Sequence, residues 1–247
     1  MILKKWEDLP DELRIDEVRP YYEKLKAKQG ALVAKRVFDI VVSAGMLLVI
    51  SPVFLLLAIA IKLDSPGPVF YRQVRVTQYG KTFRIFKFRT MCNHADKIGT
   101  QVTVGNDNRI TRVGKLIRRC RLDEVSQLID IFRGTMTFVG TRPEVPKYVA
   151  AYQSEMMATL LLPAGVTSLA SILYKDEDKL LEGAADVDRT YIEKVLPEKM
   201  RFNLKSIETF CFWGDIKTMF MTVFAVLGKE YDENALFKEK KEGEKVQ

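Results

Sequence analysis

Residues 37–61 read VFDIVVSAGMLLVISPVFLLLAIAI, with Asp39 as their only charged residue. At about 1.5 Å per residue, such a run exceeds the roughly 20 helical residues that a bilayer core needs. It is apolar on every face, whereas the helix of a soluble domain usually keeps a polar stripe. A membrane segment is therefore expected, with a straight transmembrane helix and a buried core helix as the alternatives.

Two features point away from a straight span. Ser51-Pro52 lies just past the centre, where proline removes a backbone donor and crowds the carbonyl four residues back. The neighbouring serine hydroxyl can bond a freed carbonyl, so a break is tolerable at membrane depth. Both flanks are also basic, Lys35 and Arg36 before the run and Lys62, Arg72 and Arg75 after it. A charge rule that places positive flanks on the cytoplasmic side gives no orientation to such a span. A re-entrant helix-break-helix over residues 35–63, entering and leaving by one face, satisfies both flanks.

Outward from this anchor, residues 1–34 form a charged N-terminal extension with a short amphipathic helix expected over 21–28. Asp64-Ser65-Pro66-Gly67-Pro68 is a turn cluster that ends the anchor. Residues 69–71 and 83–88 read as strands of a small β-hairpin around Gln78-Tyr79-Gly80-Lys81. Residues 93–108 are expected to be a mobile loop. Helical spacing covers 110–120 and 123–132, with a break near Arg121-Leu122. Residues 134–144 are expected to be a loop and residues 145–161 a helix. Residues 210–227 are apolar but interrupted by Gly214, Asp215 and Lys217, which suits an interfacial amphipathic helix, or equally a core helix. The expected fold class is α+β and mostly helical, with a catalytic domain over 64–228 and a charged, disordered tail over 229–247.

Lys and Arg together number 39 against 32 Asp and Glu, a net charge of +7. That excess suits anionic lipid, phosphorylated substrates or nucleic acid. The basic stretch 109–121 lacks interleaved aromatics for base stacking, so no nucleic-acid partner is expected. Cys92, Cys120 and Cys211 are widely spaced and odd in number, which suits free thiols. His94 is the only histidine, so neither a Ser-His-Asp triad nor a His-rich metal site is expected. Charged residues follow Met1 closely where a secretory signal would carry an apolar run.

Arg118-Arg119-Cys120-Arg121-Leu122-Asp123-Glu124 places three guanidiniums just before two adjacent carboxylates. Arginine forks match phosphate oxygens, and a carboxylate near them stays ionised, ready to bind metal or attack phosphorus. Neighbouring helical residues point about 100° apart, so the two acids have different tasks. An N-terminal helix cap would use the same residue types. On a strand, Lys87 and Arg89 share one face while Phe86 and Phe88 share the other. Arg142 is set in the loop before Pro143.

These pieces stand in an order that resembles the bacterial sugar transferases, the monotopic phosphoglycosyl transferases, over about residues 35–149. The matching stretches are Lys35-Arg36-Val37-Phe38-Asp39, Ser51-Pro52, Gly67-Pro68-Val69-Phe70, Phe83 to Met91, and Ile110-Thr111-Arg112-Val113-Gly114. They continue through Leu122-Asp123-Glu124, Gln127-Leu128 and Phe132 to Gly140, ending at Arg142-Pro143. The chain resembles the minimal form, without additional N-terminal spans. The resemblance implies transfer of a sugar-1-phosphate from a nucleotide sugar, by the family's habit a UDP-sugar, to polyprenyl (undecaprenyl) phosphate. It implies Asp123 as the nucleophile, Glu124 as its metal-linked partner, and Mg2+ held by the two. It places Lys87, Arg89, Arg118, Arg142, Pro143 and Glu144 among the groups contacting phosphate and nucleotide. It further implies the bacterial inner membrane with a cytoplasmic-face site, anionic lipid as a partner, and leaves a homo-oligomer open. The competing expectations are a single-span scaffold and a family member without activity. Thr141 and Ser126 stand where the family usually has proline, and residues 163–170 match its Pro-Gly-Ile-Thr-Gly-Trp-Ala stretch only loosely.

Overall fold

The computed structural model describes residues 2–93, 108–174 and 186–232. The expectations for His94, for nearly all of the 93–108 loop and for the tail beyond residue 232 lie outside the described residues.

The anchor is a single helix. After α1 (Arg19–Lys26), α2 runs from Gln29 to Asp64 with Pro52 inside it. Helical backbone continues through Ser51-Pro52, where the sequence suggested an interruption. The local chemistry explains this tolerance. Proline at 52 leaves the Leu48 carbonyl without its usual backbone donor, and the Ser51 hydroxyl donates to that same oxygen at 2.8 Å. Among the described residues, α2 is the one helix long and apolar enough to cross a membrane. Its outward face carries exposed Val41, Leu48, Val49, Leu55, Leu56 and Leu63.

Both ends of α2 are tied to the same folded body. Near its start, the buried Lys35 donates to Asp215 at 2.5 Å and to the Val139 carbonyl at 2.8 Å. Arg36 donates to the carbonyls of Ile131 and Phe132. Asp39 accepts from the Thr137 hydroxyl at 2.7 Å and from the Phe138 N–H. At the other end, Asp64 accepts from the Val113 N–H at 2.9 Å, and Ile61 packs with Phe88 and Ile117.

β1 (Phe70–Val76) and β2 (Thr82–Phe88) form the expected antiparallel hairpin, with Phe70 opposite Phe88 and Val76 opposite Thr82. Tyr79 and Gly80 turn the chain in the left-handed region, at φ 60° and 72°. Three helical pieces follow: α3 (Arg112–Arg119), a 3-10 turn over Leu122–Gln127, and α4 (Leu128–Arg133). The expected break falls at Arg121, whose φ is 52°.

Two expectations are corrected. Residues 134–144 are not all loop, because β3 (Met136–Val139) pairs in parallel with β4 (Ala164–Thr167). Strands of four residues are too short to show an alternating pattern, which hid them in the sequence. Nor is 145–161 one helix: α5 (Pro146–Val149) is followed by extended Gln153 and a 3-10 stretch, Ser154–Leu161. Leu160, Leu161 and Leu162 are buried in succession, which one face of an α-helix cannot achieve.

Their neighbours include the charged N-terminal stretch, which is packed onto the body: Leu3, Leu9, Leu13, Tyr22 and Leu25 share one core with Tyr79, Leu161 and Phe210. α6 (Leu169–Leu173), α7 (Val187–Thr190), α8 (Leu196–Glu208) and α9 (Phe212–Val226) complete the described structure. α9 packs beside α2 through Phe212 and Phe38, 5.7 Å between ring centres. It exposes Trp213, Phe220, Val223 and Phe224, a face that suits the interfacial alternative.

The two strands of the parallel pair approach closely where they meet the 140–144 loop. A Cβ on Gly165 would sit 2.2 Å from the Gly140 backbone. Gly165→Ala should therefore lower stability by about 1–3 kcal/mol, read as a lower thermal midpoint. An unchanged midpoint would show that this contact yields freely.

Candidate active site

The carboxylate pair is positioned from two directions. From the anchor side, Asp64 and the Thr111 hydroxyl cap the N–H groups of Val113 and Gly114 at the start of α3. That helix ends in Arg118 and Arg119, and left-handed Arg121 swings the chain into the 3-10 turn bearing Asp123 and Glu124. A non-glycine residue in this region carries backbone strain, a common feature of functional turns. At three residues per turn, the two acids diverge by about 120°.

From the hairpin side, Phe86 of β2 is bonded by both its backbone groups. Its N–H donates to Asp130 at 2.8 Å, and its carbonyl accepts from the buried Ser126 hydroxyl at 3.1 Å. This stitching sets the next residue, Lys87, with its Nζ 2.9 Å from Glu124 Oε1. A proline at position 126, as the family resemblance leads one to expect, would have no hydroxyl to make this bond. The aromatic face expected for β2 points away: Phe88 packs against Phe54 of α2, and Arg72 lies 3.4 Å over the Phe86 ring.

The third contributor is the 140–144 loop. The Gly165 N–H donates to the Thr141 carbonyl at 2.8 Å, and the Gly140 N–H to the Thr167 carbonyl at 2.9 Å. Arg142 leaves this loop and grips Glu124 with both terminal nitrogens, Nη1 at 3.0 Å from Oε2 and Nη2 on Oε1. Lys87, Glu124 and Arg142 are thus brought together, with Asp123 beside them on the same turn.

Three sequence-selected residues lie elsewhere. Arg89 is buried and donates to the Ser65 carbonyl and hydroxyl at 2.6 and 2.9 Å, closing the end of α2. Glu144 accepts from the Tyr191 hydroxyl at 2.6 Å and has Lys199 at 3.5 Å, inside a buried cluster. The Pro143 carbonyl accepts from Arg75 at 3.2 Å. The contacts of Glu144 and Pro143 fasten the loop that presents Arg142. Arg118 donates to the Thr90 hydroxyl at 2.9 Å and contributes its charge to the field at Asp123. Asp130, Tyr191 and Lys199 were not singled out by the sequence, while Ser126 stood out only as a departure from the family pattern and Arg75 only as a basic flank of the apolar run. Single polar residues such as Asp130 inside an apolar stretch were the signal available, and it does not separate buried from exposed positions.

The two acids sit in opposite electrostatic environments. Burial pushes the Asp123 carboxyl above its ordinary value, and the Glu124 charge adds to the rise. Lys87, the Asp123 N–H and Arg118 counter it only in part. Burial also works upward on Glu124, but Arg142 and then Lys87 outweigh it and hold this carboxyl well below the usual range. The pair is therefore one locked anion and one carboxylate with fewer compensating contacts, a division of labour that suits a nucleophile beside a fixed partner.

A cavity of about 670 Å³ opens beside the pair. Arg121, Glu124, Arg142 and Lys199 supply charge to it, while Leu128, Phe138, Val166 and Ile172 supply apolar wall.

The environments predict opposite effects on stability. The raised Asp123 pKa means its ionisation opposes folding at neutral pH, an effect that fades as pH falls through the folded value. Asp123→Asn should raise the thermal midpoint at pH 7, and the gain should vanish on acidification. Glu124→Gln should instead cost about 2 kcal/mol at pH 7. That loss should disappear as pH falls through the lowered Glu124 pKa. Thermal unfolding against pH tests both, and equal signs for the two variants would refute the assignment.

Residues 30–229 match the family model described as Bacterial sugar transferase. The chain is 37% identical over 195 residues to the UDP-glucose:undecaprenyl-phosphate glucose-1-phosphate transferase of Escherichia coli (strain K12), covering 77% of this chain and 39% of the relative. It is 34% identical over 196 residues to the UDP-N-acetylgalactosamine-undecaprenyl-phosphate N-acetylgalactosaminephosphotransferase of Aeromonas hydrophila, covering 78% and 43%. A UDP-glucose:undecaprenyl-phosphate glucose-1-phosphate transferase of Caulobacter vibrioides is 32% identical over 204 residues, with 78% of this chain and 69% of the relative covered. The chain thus spans about two-fifths of the length of the first two relatives. The match runs from the second residue of α2 to just beyond α9 and contains every residue of the carboxylate site, so the chain belongs to the bacterial sugar transferase family.

Proposed function

We propose that this protein transfers a sugar-1-phosphate from a UDP-sugar to undecaprenyl phosphate, through a phosphoglycosyl intermediate on Asp123. The observation that carries this reading is the arrangement of Asp123 and Glu124 under Lys87 and Arg142, beside an apolar helix that suits a membrane. The names of the family's curated relatives supply the two substrates. One phosphoanhydride is exchanged for another, so the step needs no ATP. The difficulty is bringing a water-soluble donor and a membrane-bound acceptor to one centre. A carboxylate that first takes the phosphosugar divides the problem into two displacements. Asp123 attacks the phosphorus bearing the sugar, and nucleoside monophosphate leaves. The acceptor phosphate then attacks the same phosphorus, and Asp123 departs as carboxylate. Lys87 and Arg142 hold Glu124 in place and lend positive charge to the transferring oxygens.

The donor set fits Mg2+, a hard cation that takes one or two carboxylates and completes its shell with water and substrate phosphates. Asp123 and Glu124 would hold it, and when bound it would neutralise phosphate charge.

The anchor is read as re-entrant, with the catalytic body on the cytoplasmic face of the inner membrane. Supporting this, Lys35 at one end of α2 and Asp64 at the other bond to the same body. In a cysteine-free background, Gly30→Cys and Lys81→Cys should both react with an impermeant thiol reagent only from the cytoplasmic side. Labelling from opposite sides would remove the re-entrant topology.

For the chemistry, UDP-glucose and UDP-N-acetylgalactosamine labelled in the sugar should each be offered with undecaprenyl phosphate in detergent or liposomes. With an accepted donor alone, wild type should retain label, and undecaprenyl phosphate should discharge it. Asp123→Asn should retain none and lose at least about 10³-fold in turnover. A chelator should stop transfer and Mg2+ restore it. Normal turnover by Asp123→Asn would exclude the covalent route.

A further inference from the structure

The backbone of the 140–144 loop is pinned on both sides of Arg142. Before it, the Thr141 carbonyl accepts from the Gly165 N–H at 2.8 Å. After it, the Pro143 carbonyl accepts from Arg75 at 3.2 Å, and the Glu144 carbonyl from the Val76 N–H at 3.0 Å. Pro143 has a fixed φ, so the placement of Glu144 passes to Arg142 with little slack. The Glu144 side chain is held from much further along the chain.

That hold comes from residues 191–199, which lie beyond the 35–149 stretch of the family resemblance. Tyr191 opens a π-helical turn, Tyr191–Val195, that runs into α8. Pro197 has no N–H to give the Glu193 carbonyl, and π-turns are rare and frequent at functional sites. Along a regular helix, positions 191 and 199 would stand about 12 Å apart. Their side chains nevertheless meet, with Lys199 Nζ 2.9 Å from the Tyr191 hydroxyl. The hydroxyl in turn donates to Glu144 Oε1 at 2.6 Å, and Lys199 Nζ lies 3.5 Å from the same oxygen.

All three side chains are buried, with exposures of 4% for Tyr191, 4% for Lys199 and 6% for Glu144. A buried ammonium or carboxylate is costly unless a partner compensates it. Loss of either charge would leave the other poorly compensated, so the three side chains fix one another. Arg142, two residues from Glu144, grips Glu124 with both terminal nitrogens. Such a two-point grip depends on geometry, and a displacement of about 1 Å at a reaction centre can cost about 10²-fold in rate. We infer that Tyr191 and Lys199 are positioning residues for the transfer, acting through Glu144 to hold the loop where Arg142 reaches Glu124. Their effect on rate rests on the transferase reading, whereas their effect on the Arg142 grip does not.

Unfolding measures the grip without turnover. Arg142→Ala should lower the thermal midpoint of wild type, and in a Tyr191→Phe background that drop should shrink to less than about half. Tyr22→Phe removes a buried hydroxyl that donates to the Lys4 carbonyl at 2.9 Å in the N-terminal core, and should leave the drop at full size. A drop of the same size in the wild-type and Tyr191→Phe backgrounds, zero included, would overturn the positioning role. So would a drop that shrinks equally in Tyr22→Phe.

Kinetics tests the same path in the full chain with undecaprenyl phosphate and an accepted donor. Tyr191→Phe and Lys199→Met should each lower kcat at least about tenfold, with the KM for undecaprenyl phosphate within about twofold of wild type. Added to Arg142→Ala, neither should cost more than about twofold further in kcat. Losses that multiply would refute action through Arg142. If wild type transfers from no nucleotide sugar, the transferase reading fails, and the unfolding cycle still decides whether the cluster positions Arg142.

Discussion

Glu124 is the charge at which three separate chain segments meet. The hairpin sends Lys87 to it, the 140–144 loop sends Arg142, and the turn after α3 supplies the carboxylate itself. Placing a partly buried anion between two cations offsets the cost of removing all three from water. It also fixes the separation of segments that are far apart in sequence. Because Glu124 is committed to this role, the adjacent Asp123 is left with a raised pKa and fewer compensating contacts. The electrostatic setting of Asp123 is therefore created in part by what its neighbour is doing.

The supports of this arrangement are mostly backbone bonds made by buried polar side chains. Ser126 and Asp130 clasp the carbonyl and N–H of Phe86, and Arg75 holds the Pro143 carbonyl. Glu144 is fixed by Tyr191 behind the same loop. Each bond satisfies a group that would otherwise be buried without a partner, so the site is organised by the same requirement that stabilises the core. The close approach of Gly140 and Gly165 belongs to this set, since a side chain at either position would lift the Arg142 loop away from β4.

The anchor is integrated into the same scheme. Lys35, Arg36 and Asp39 near the start of α2 bond to α9, to the end of α4 and to β3. Asp64 at its end caps α3, which leads directly to the carboxylate pair. An apolar helix whose charged ends are used this way fixes the carboxylate pair relative to its own outward face. The N-terminal residues before α2 reinforce the opposite side, through a core that includes Leu13, Tyr22, Leu161 and Phe210.

The long apolar run, the hairpin and the adjacent carboxylates were legible in the sequence by itself, because each is a local pattern. Apolar length, turn residues and adjacent charges need no distant partner to be recognised. The interruption expected at Ser51-Pro52, by contrast, is absent because the Ser51 hydroxyl bonds the Leu48 carbonyl that the proline leaves unpaired. The pairing of β3 with β4 was not legible, since strands of four residues carry no usable period and their partner lies over twenty residues away. The fates of the basic residues were equally hidden. Lys87 and Arg89 alternate on one strand pattern, yet Lys87 meets Glu124 while Arg89 closes the end of α2. Glu144, two residues from Arg142, faces a buried tyrosine instead of the carboxylate pair. A guanidinium or carboxylate has the same chemistry at every position, and only the tertiary structure decides which opposite charge comes within reach.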